Sequence, residues 1–238
     1  MPGRQSHLNL RFKVDGRNGI VDVAHPNTVF NQALVLRLPP MQQINRQTIR
    51  NKRRAISPEC RQLFHTRVTS RLIKLPAFIK ARRIAAYLAV DGECDPQMIM
   101  DHANRLGKEI YLPVLVATRR PKLLFARYTQ DMPMLKNRFG ILEPQANRAQ
   151  LLTAREMDIV ITPLVGFDEQ LNRIGMGGGF YDSTFAFHRN RVHWKHPRLI
   201  AIAYECQKID IKNNNNRDVP MDMIVTEQAL YSKKNIKK

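Results

Sequence analysis

The segment from Phe167 to Asp182 combines residue types suited to holding a phosphate group. Four of the five residues 175–179, here called the glycine-rich loop, are glycines. Glycine lets backbone N–H groups converge on an anion without obstruction by Cβ atoms. Arg173 lies just before the loop and can pair with a phosphate through two hydrogen bonds. Asp182 lies just after it and offers the hard oxygen ligands that Mg²⁺ prefers.

A helix predicted from Phe180 would add free N–H donors and a favourable dipole to this segment. Two known phosphate motifs do not describe it. A Walker A loop is excluded because no G-K-[ST] follows, and G-x-G-x-x-G would need a glycine where Phe180 stands. The alternative is a glycine-rich turn that only lets two elements pack closely. We predict phosphate binding because an arginine, an aspartate and a buried strand flank the loop.

Apolar runs separated by helical patterns indicate the elements that must position this loop. The predicted strands are Ile84–Val90, Ile110–Leu115, Leu123–Tyr128, Met157–Leu164 and Leu199–Tyr204. The predicted helices cover residues 42–56, 58–75 and 96–106. Strands that alternate with helices are typical of βαβ units, so we predict a mostly parallel sheet covered by helices. Ligands of such sheets collect at the carboxyl ends of the strands, where the glycine-rich loop would lie.

Local signals set the predicted helix ends. Ser57 is a good N-cap before Pro58, and Pro76 should stop the helix that follows. Asp95 should cap the next helix, and Gly107 should end it. Pro113 lacks an N–H group, so it predicts that its strand lies near a sheet edge or contains a bulge.

The composition excludes several classes of protein. The chain has 238 residues, is 43% hydrophobic and carries a net charge of +19. It is therefore neither disordered throughout nor a disulfide scaffold, and its three cysteines indicate a reducing compartment, which we take to be the cytoplasm. No apolar run is long enough to span a bilayer, and no signal peptide is recognisable.

The positive charge is concentrated in one region. Residues 42–90 hold twelve lysines and arginines and a single acid, Glu59. The last seven residues add four lysines. Such an excess fits nucleic acid, an anionic small molecule or a solvated surface. We divide the chain into an N-terminal extension (1–41), flexible or not native, a single domain (42–231) and a basic tail (232–238).

Several separated motifs together resemble the family of 5-formyltetrahydrofolate cyclo-ligases, also called methenyltetrahydrofolate synthetases. The strongest are P-L-V-G-F-D and R-I-G-M-G-G-G-F-Y-D between Met157 and Asp182. R-R-A-I-S-P-E, I-A-A-Y-L-A-V-D-G-E-C-D, G-K-E-I-Y-L-P-V-L and D-V-P-M-D occur in the family's order and spacing. The resemblance covers residues 46–227. It implies a three-layer α/β/α fold with basic N-terminal helices ahead of the sheet.

The resemblance also implies an activity and a set of site residues. The activity is ATP- and Mg²⁺-dependent conversion of 5-formyltetrahydrofolate to 5,10-methenyltetrahydrofolate, with release of ADP and phosphate. The implied ATP-binding residues are Gln42, Arg46, Arg173, Ile174, Gly175, Met176, Gly177, Gly178, Gly179, Phe180 and Tyr181, with Arg173 and Tyr181 as catalytic residues. The implied substrate-binding residues are Leu88, Glu93, Met176, Gly177, Gly178, Gly179 and Phe180. The implied Mg²⁺ ligands are Asp182 and Asp218.

One position departs from the family pattern. Gln42 stands where the family usually has a lysine, so the charged phosphate contact expected there is missing. Arg46 matches the family's phosphate-binding arginine. The other basic residues of 42–90 are expected mostly on a solvated helix surface. The implied partner is a reduced folate, polyglutamylated or not. We expect the protein to be a monomer that binds neither a specific nucleic acid nor a membrane.

The chemistry of this reaction follows from its substrate. A formamide carbonyl is a poor electrophile, and phosphorylation of its oxygen converts that oxygen into a good leaving group. N10 can then attack the activated carbon and close the five-membered ring as phosphate departs. The protein has to align the two reactants and neutralise charge, with no covalent nucleophile required.

Other candidate residues favour structural interpretations. Cys94 could be a nucleophile, but no histidine is placed by sequence to activate it, so we predict a structural thiol. His188, His193 and His196 lack zinc-finger spacing and predict a solvated basic loop. Asp168 could be catalytic, although we favour a role in shaping the loop. Two other functions remain open: a nucleic-acid-binding protein, supported by charge alone, and an ATP-independent sugar-phosphate isomerase or acyl-transfer enzyme.

Overall fold

The computed structural model describes residues 46–116, 121–190, 196–211 and 218–233, together with the backbone of two strands near the N-terminus. The chain divides into two compact units, residues 1–42 and 43–238, and each is described by itself. In the first unit, β1 (Asn9–Val14) and β2 (Arg17–Asp22) pair as an antiparallel hairpin. The division into an extension (1–41), a domain (42–231) and a tail (232–238) stays a prediction.

The second unit alternates helices and strands. Its helices are α1 (Arg46–Arg54), α2 (Pro58–Leu72), α3 (Pro76–Lys80), α4 (Gln97–Arg105) and α5 (Phe180–Thr184). Its strands are β3 (Arg83–Ala85), β4 (Glu109–Val116), β5 (Lys122–Arg127), β6 (Met134–Lys136), β7 (Leu142–Pro144), β8 (Ile159–Thr162), β9 (Gly166–Phe167), β10 (Arg173–Ile174), β11 (Arg198–Ile202), β12 (Met223–Val225) and β13 (Leu230–Ser232). In the part of the chain that the structure describes, no helix is long and apolar enough to cross a membrane.

One seven-stranded sheet organises this unit. The strand order is β13-β12-β11-β8-β3-β4-β5. The five inner strands are parallel to one another, and the two edge strands, β5 and β13, are each antiparallel to the inner strand beside them. The prediction of an α/β fold with a mostly parallel sheet is therefore confirmed.

Each face of the sheet has its own apolar core, because alternate strand residues point to opposite faces. Ile84 and Ile161 pack with α2, α3 and α4 on one face. Ala85 and Val160 pack on the other face, which is covered by α5 and short 3-10 turns. The second helical layer is thus much thinner than the first, so the loops around α5 stay open to solvent.

The helix signals act mostly as expected. The Ser57 hydroxyl accepts a hydrogen bond from the Cys60 N–H at 3.3 Å and caps α2, and Gly107 has the positive φ of a helix-terminating glycine. The Asp95 carboxylate accepts from the Gln97 N–H at 2.9 Å at the start of α4. The expectation for Pro76 was wrong in part. Helix α2 already ends at Leu72, and Pro76 begins α3, because a proline at the first helical position needs no N–H partner.

One strand prediction needs correction. The run Ile84–Val90 was expected to form one strand, but ladder pairing covers only Arg83–Ala85. Ala86 and Tyr87 are buried without belonging to the ladder, and burial alone explains their apolar character. Pro113 lies inside β4, next to the edge strand β5 and beyond Tyr111, the last residue of β4 that pairs with β3. This position near an edge agrees with the prediction, because the ladder with β3 needs no N–H group there.

Candidate functional site

The glycine-rich loop lies beyond the carboxyl end of the central strand β8. Strands β9 and β10 form a short antiparallel hairpin that leads from β8 into the loop, with Arg173 paired opposite Phe167. Helix α5 begins at the end of the loop, with Gly179 as its N-cap. Strand β3 is the parallel neighbour of β8, so the segment that follows β3, residues 86–95, emerges at the same edge of the sheet. This edge is the usual ligand position in open α/β sheets.

Asp168 shapes the hairpin that carries Arg173. Its buried carboxylate accepts hydrogen bonds from the backbone N–H and the side-chain amide of Asn172, both at 2.8 Å. Leu171 takes a left-handed conformation, with φ of 69°, and its N–H donates to the Asp168 carbonyl at 3.1 Å. These contacts agree with the structural role predicted for Asp168, because both carboxylate oxygens are engaged in the turn.

Arg173 is a buried cation with unused hydrogen-bonding capacity. Its side chain is 4% exposed, and its Nη2 donates to Asp182 Oδ1 at 2.7 Å. The guanidinium lies 5.3 Å from the centre of the Tyr181 ring. Its Nε is buried and meets no acceptor among the described residues. A buried donor of this kind is costly unless a partner arrives, so the arginine is suited to a ligand oxygen.

A second arginine approaches the loop from α1. A Cβ atom added at Gly177, where φ is +100°, would lie 3.2 Å from Arg46 Nη1. A Cβ at Gly175 would lie 3.7 Å from Arg173 Nη1. The loop therefore has a guanidinium on either side, while residues 176–179 remain exposed. Gln42, the remaining predicted ATP-binding residue, falls outside the described residues.

The N-terminus of helix α5 contributes little to the binding of an anion at the glycine-rich loop. Helix α5 is only 5 residues long, so its summed dipole is weak. The positive potential at the loop comes mainly from the two arginines.

Gly177 offers a direct test of the contact with Arg46. We expect Gly177→Ala to raise KM for a nucleotide substrate about tenfold, because the methyl group would strain a positive φ and displace Arg46. Gly107→Ala is the matched control, since Gly107 has φ of +69° and nothing within 4 Å of an added Cβ. Steady-state kinetics and thermal unfolding of both variants separate lost binding from backbone strain of about 1 kcal/mol. An equal effect of the two changes on KM would contradict the assignment.

The two carboxylates proposed as metal ligands come from segments that meet. Asp182 Oδ1 accepts from the Val219 N–H at 3.3 Å, which brings Asp218, the preceding residue, next to Asp182 in the fold. Among the described residues, no group of three or more histidines, cysteines and acids forms a metal cage. Mg²⁺ is commonly held by one or two carboxylates plus phosphate oxygens. Two neighbouring aspartates beside a phosphate loop fit that ion.

Glu93 forms a buried carboxyl group near the same edge of the sheet. Its Oε2 accepts from the Val90 N–H at 3.2 Å, and its Oε1 lies 3.8 Å from Arg53 Nη1. Burial raises the pKa of Glu93 to about 7, although the Val90 hydrogen bond and the Arg53 charge oppose this rise. Leu88 is partly buried and packs against the core beside this segment. A half-protonated carboxyl group can donate to or accept from a polar heterocycle.

The raised pKa of Glu93 predicts how stability depends on pH. Because the folded protein holds this proton more tightly than the unfolded chain, the contribution of Glu93 to the free energy of unfolding is greatest below about pH 4.5. It is lost as the pH rises towards about 7. Glutamine removes this titrating group. We therefore expect the difference in free energy of unfolding between Glu93→Gln and the wild type to favour the variant more at pH 8 than at pH 5, by on the order of 2 kcal/mol. Urea unfolding at both pH values measures this, with the exposed Glu169→Gln as control. A pH-independent difference would rule it out.

Arg53 links α1 to the ends of both central strands. Its side chain is fully buried and donates to the carbonyl oxygens of Asp91 (2.9 Å) and Leu164 (3.3 Å). It also pairs with the Asp91 carboxylate at 2.9 Å, as Arg50 does at 2.7 Å. Arg54 contacts the same carboxylate from the helix surface. Sequence reasoning missed this cluster, because it placed the basic residues of α1 on a solvated surface.

Arg61 is a further basic residue with internal contacts, whereas more than half of the others in residues 42–90, among them Lys52, Arg67 and Lys74, are exposed as expected. Arg61 donates to the carbonyl oxygens of Ile56, Arg53 and Arg54 at 2.9–3.2 Å. Arg61 therefore ties the start of α2 to the end of α1, where the Arg53 carbonyl also accepts from the Ile56 N–H at 3.4 Å.

Tyr181 lies beside Arg173 and is partly buried. Burial raises the pKa of Tyr181 well above its usual range, and the Glu93 carboxylate adds to this while the Arg173 charge opposes it. The hydroxyl group is therefore neutral at physiological pH, so it can donate a hydrogen bond and cannot act as a base.

The remaining candidate residues are Cys94 and the three histidines. Cys94 is buried in the apolar core, and burial raises the pKa of its thiol, which makes it a poor nucleophile and agrees with a structural role. The His188 ring is tilted by 57° against the Phe187 ring, with ring centres 4.6 Å apart. His196 lies 4.0 Å from an Asp158 oxygen, and His193 falls outside the described residues.

These features define an open α/β protein with a candidate anion-binding loop at the carboxyl edge of its sheet. A sequence profile of the 5-formyltetrahydrofolate cyclo-ligase family matches residues 40–227. The 5-formyltetrahydrofolate cyclo-ligase of Escherichia coli K12 is 36% identical over 183 residues, which cover 77% of this chain and 98% of that protein. That of Haemophilus influenzae is 39% identical over 161 residues, covering 66% and 83%. The chain belongs to the 5-formyltetrahydrofolate cyclo-ligase family.

The fold comparison agrees. The solution structure of Aquifex aeolicus 5,10-methenyltetrahydrofolate synthetase matches with a TM-score of 0.66 and 27% identity, over 81% of this chain and 93% of that one. The family resemblance and the enzyme class predicted from the sequence are therefore confirmed.

Proposed function

We propose that this protein converts 5-formyltetrahydrofolate to 5,10-methenyltetrahydrofolate in a reaction that consumes ATP and requires Mg²⁺. The observation that carries the proposal is the convergence of Arg46 and Arg173, from distant parts of the chain, on an exposed glycine-rich loop. The relatives named above are cyclo-ligases and a methenyltetrahydrofolate synthetase, which supports the same substrate.

The phosphate side of the proposed site is the loop with its flanking residues. Arg46 and Arg173 neutralise the triphosphate charge, and the backbone N–H groups of residues 174–181 hold its oxygens. The free Nε of Arg173 supports this role because a buried donor needs an acceptor. Gln42 would add an uncharged contact.

Asp182 and Asp218 would hold Mg²⁺ beside the loop. The ion would supply charge neutralisation for the transferring phosphoryl group. Asp182 also keeps the Arg173 guanidinium oriented through their 2.7 Å contact, so one carboxylate serves the arginine and the metal position together.

The folate side of the proposed site lies around Glu93. Its buried carboxyl group would recognise the polar edge of the pterin, with Leu88 against the ring. Loop residues Met176–Phe180 would border both substrates. This arrangement aligns the formyl oxygen with the terminal phosphate, which is the main task in phosphoryl transfer.

The proposed reaction needs few groups from the protein. The formyl oxygen attacks the terminal phosphorus of ATP and ADP leaves. N10 then attacks the activated carbon and loses its proton, and the C–O bond breaks as phosphate leaves. Arg173 stabilises negative charge on the transferring group, and the neutral Tyr181 hydroxyl donates a hydrogen bond. Glu93, with a pKa of about 7, can hold or release a proton at the pterin.

The proposed cellular setting is a cytoplasmic monomer. The three cysteines of the chain, Cys60, Cys94 and Cys206, are free, which supports a reducing compartment.

A nucleic-acid-binding function has little support from the structure. The charge was its only argument, and Arg50, Arg53 and Arg54 are all engaged by Asp91.

One assay tests the proposed function. The purified protein is incubated with 5-formyltetrahydrofolate and Mg²⁺, with and without ATP, and the methenyl chromophore is followed in the near ultraviolet. We expect a signal that depends on both ATP and Mg²⁺. A signal that needs no ATP, or no signal at all, would reject the proposal.

A further inference from the structure

The turn that carries Glu93 has an unusual backbone. Asp91 and Gly92 both take left-handed conformations, with φ of 53° and 72°, which is uncommon for an aspartate. The Glu93 N–H donates to the Val90 carbonyl at 3.0 Å, and the Val90 N–H donates to Glu93 Oε2 at 3.2 Å. The position of the Glu93 carboxyl group therefore depends on the backbone of residues 90–95, here called the Glu93 turn. A backbone of this kind persists only where surrounding contacts hold it.

Helix α2 holds the far end of the Glu93 turn through His65. The Asp95 N–H donates to His65 Nε2 at 3.3 Å, and the Tyr204 hydroxyl oxygen lies 2.7 Å from the same nitrogen. Tyr204, which is fully buried, also donates to the Glu93 carbonyl at 3.4 Å. His65 therefore reaches the turn in two ways: directly at Asp95, and through Tyr204 at the backbone of Glu93.

These contacts define the state of the His65 ring. A backbone N–H group can only donate, so Nε2 must be an acceptor and the hydrogen of the neutral ring lies on Nδ1. The ring faces Arg61 on its own helix, Asp95 in the Glu93 turn and Tyr204 after β11. Burial raises the pKa of Tyr204, so its hydroxyl group keeps the hydrogen that it shares between Nε2 and the Glu93 carbonyl. Burial lowers the pKa of His65, while the Asp95 carboxylate opposes this shift and the Arg61 charge adds to it, so the ring is mainly neutral at physiological pH.

We infer that His65 is a positioning residue for folate binding, because its unprotonated Nε2 fixes the Glu93 turn and thereby the place of the Glu93 carboxyl group. The inference rests on the proposed function, in which Glu93 recognises the pterin. Protonation of Nε2 would set a second donor against the Asp95 N–H, and that hydrogen bond would be lost. Tyr204 would then accept from Nε2 and donate only to the Glu93 carbonyl. We therefore expect folate binding to weaken as His65 takes up a proton, while ATP binding stays unchanged.

A purely structural role for His65 would depend on its ring. The His65 and Tyr204 rings are stacked, with centres 5.9 Å apart and an angle of 22° between their planes. His65→Phe keeps an aromatic ring but removes the acceptor, whereas His65→Gln removes the ring but places an amide oxygen near the position of Nε2. The two substitutions therefore separate the acceptor from the ring.

Steady-state kinetics of the full-length protein between about pH 5.5 and pH 8.5 test the inference. At the upper pH, His65→Phe should raise the folate KM roughly five- to tenfold and leave kcat and the ATP KM close to the wild type. His65→Gln should keep the folate KM within about twofold of the wild type at this pH and lose the rise at acidic pH that protonation of His65 causes. Glu93 titrates in all of these proteins, so the difference between the wild type and His65→Gln isolates the contribution of His65. The control is His102→Gln, which changes a partly buried histidine of α4 that packs against Phe78.

An unchanged folate KM in His65→Phe at the upper pH would overturn the inference. An equal rise in His65→Phe and His65→Gln would also overturn it, because the effect would then belong to the ring.

A binding measurement separates this inference from the proposed function. Calorimetry with 5-formyltetrahydrofolate in the absence of ATP requires no turnover and should show binding that His65→Phe weakens and His65→Gln preserves. Turnover by the wild type, together with His65 variants that bind the folate as the control does, would reject the positioning role and leave the proposed function standing. Binding that follows the expected order of variants, without ATP-dependent turnover by the wild type, would support the positioning role and reject the proposed reaction.

Discussion

Asp182→Asn is expected to lower kcat by about a hundredfold or more while the protein remains folded. The carboxylate has two tasks in the proposed site: it orients the buried Arg173 at 2.7 Å, and it is a Mg²⁺ ligand. An asparagine keeps the size of the side chain and can still accept from the Val219 N–H, but it removes the charge needed by the arginine and the ion. Losses of this size are typical when one electrostatic contact to a transition state is removed.

The dependence of the rate on Mg²⁺ concentration should separate the two tasks of Asp182. If the residue holds the ion, the Mg²⁺ concentration for half-maximal rate should rise in Asp182→Asn, and excess Mg²⁺ should restore part of the rate. Asp101→Asn, at an exposed position of α4, is the control and should leave both quantities unchanged. Near-normal kcat with an unchanged Mg²⁺ requirement would refute the assignment of Asp182.

Arg53→Met should be the most destabilising single change considered for α1, at about 3–5 kcal/mol of the free energy of unfolding. The guanidinium is fully buried, and its loss leaves the Leu164 carbonyl without this donor and Glu93 without its neighbouring cation. Methionine fills a similar volume but cannot donate. Urea unfolding followed by circular dichroism gives the change directly.

Arg54→Met is the matched control, because Arg54 lies on the same helix and contacts the same Asp91 carboxylate while being 44% exposed. An exposed pair contributes about 1 kcal/mol or less, so the control should stay close to the wild type. A second readout tests the positioning role of Arg53. Its charge lowers the pKa of Glu93, so its removal should move any pH midpoint governed by Glu93 to higher pH. Equal stability of the two variants would contradict the prediction.

Local signals made part of this molecule predictable. Ser57 and Gly107 act through contacts with residues a few positions away, so their roles follow from neighbouring sequence. The glycine-rich loop with Arg173 and Asp182 was recognisable because its residue types lie within one short segment. The sheet was predictable in outline because its central strands are continuous apolar runs.

The rest of the fold and of the candidate site depends on contacts between residues that are far apart in the sequence. Arg53 meets Asp91 and Leu164, which lie 38 and 111 positions away, and nothing near it distinguishes it from a solvated arginine. Strands β6, β7, β12 and β13 have three residues each, too few for a detectable period. The contact between the Phe139 and Phe180 rings could not be predicted either, since it arises only in the folded chain.

The strand order has a consequence for how the protein is made. Strands β3 and β4 are close in sequence and can pair as soon as residue 116 has left the ribosome. The pairing of β3 with β8 must wait for residues 159–162, and the Asp158 carboxylate, which accepts from the N–H groups of Arg82 and Arg83 at 2.8 and 2.9 Å, arrives with them. Asp182 meets Val219 later still. The pterin side and the phosphate side of the proposed site can therefore join once β8 is made, whereas the proposed metal position is completed only when residue 219 follows, late in synthesis.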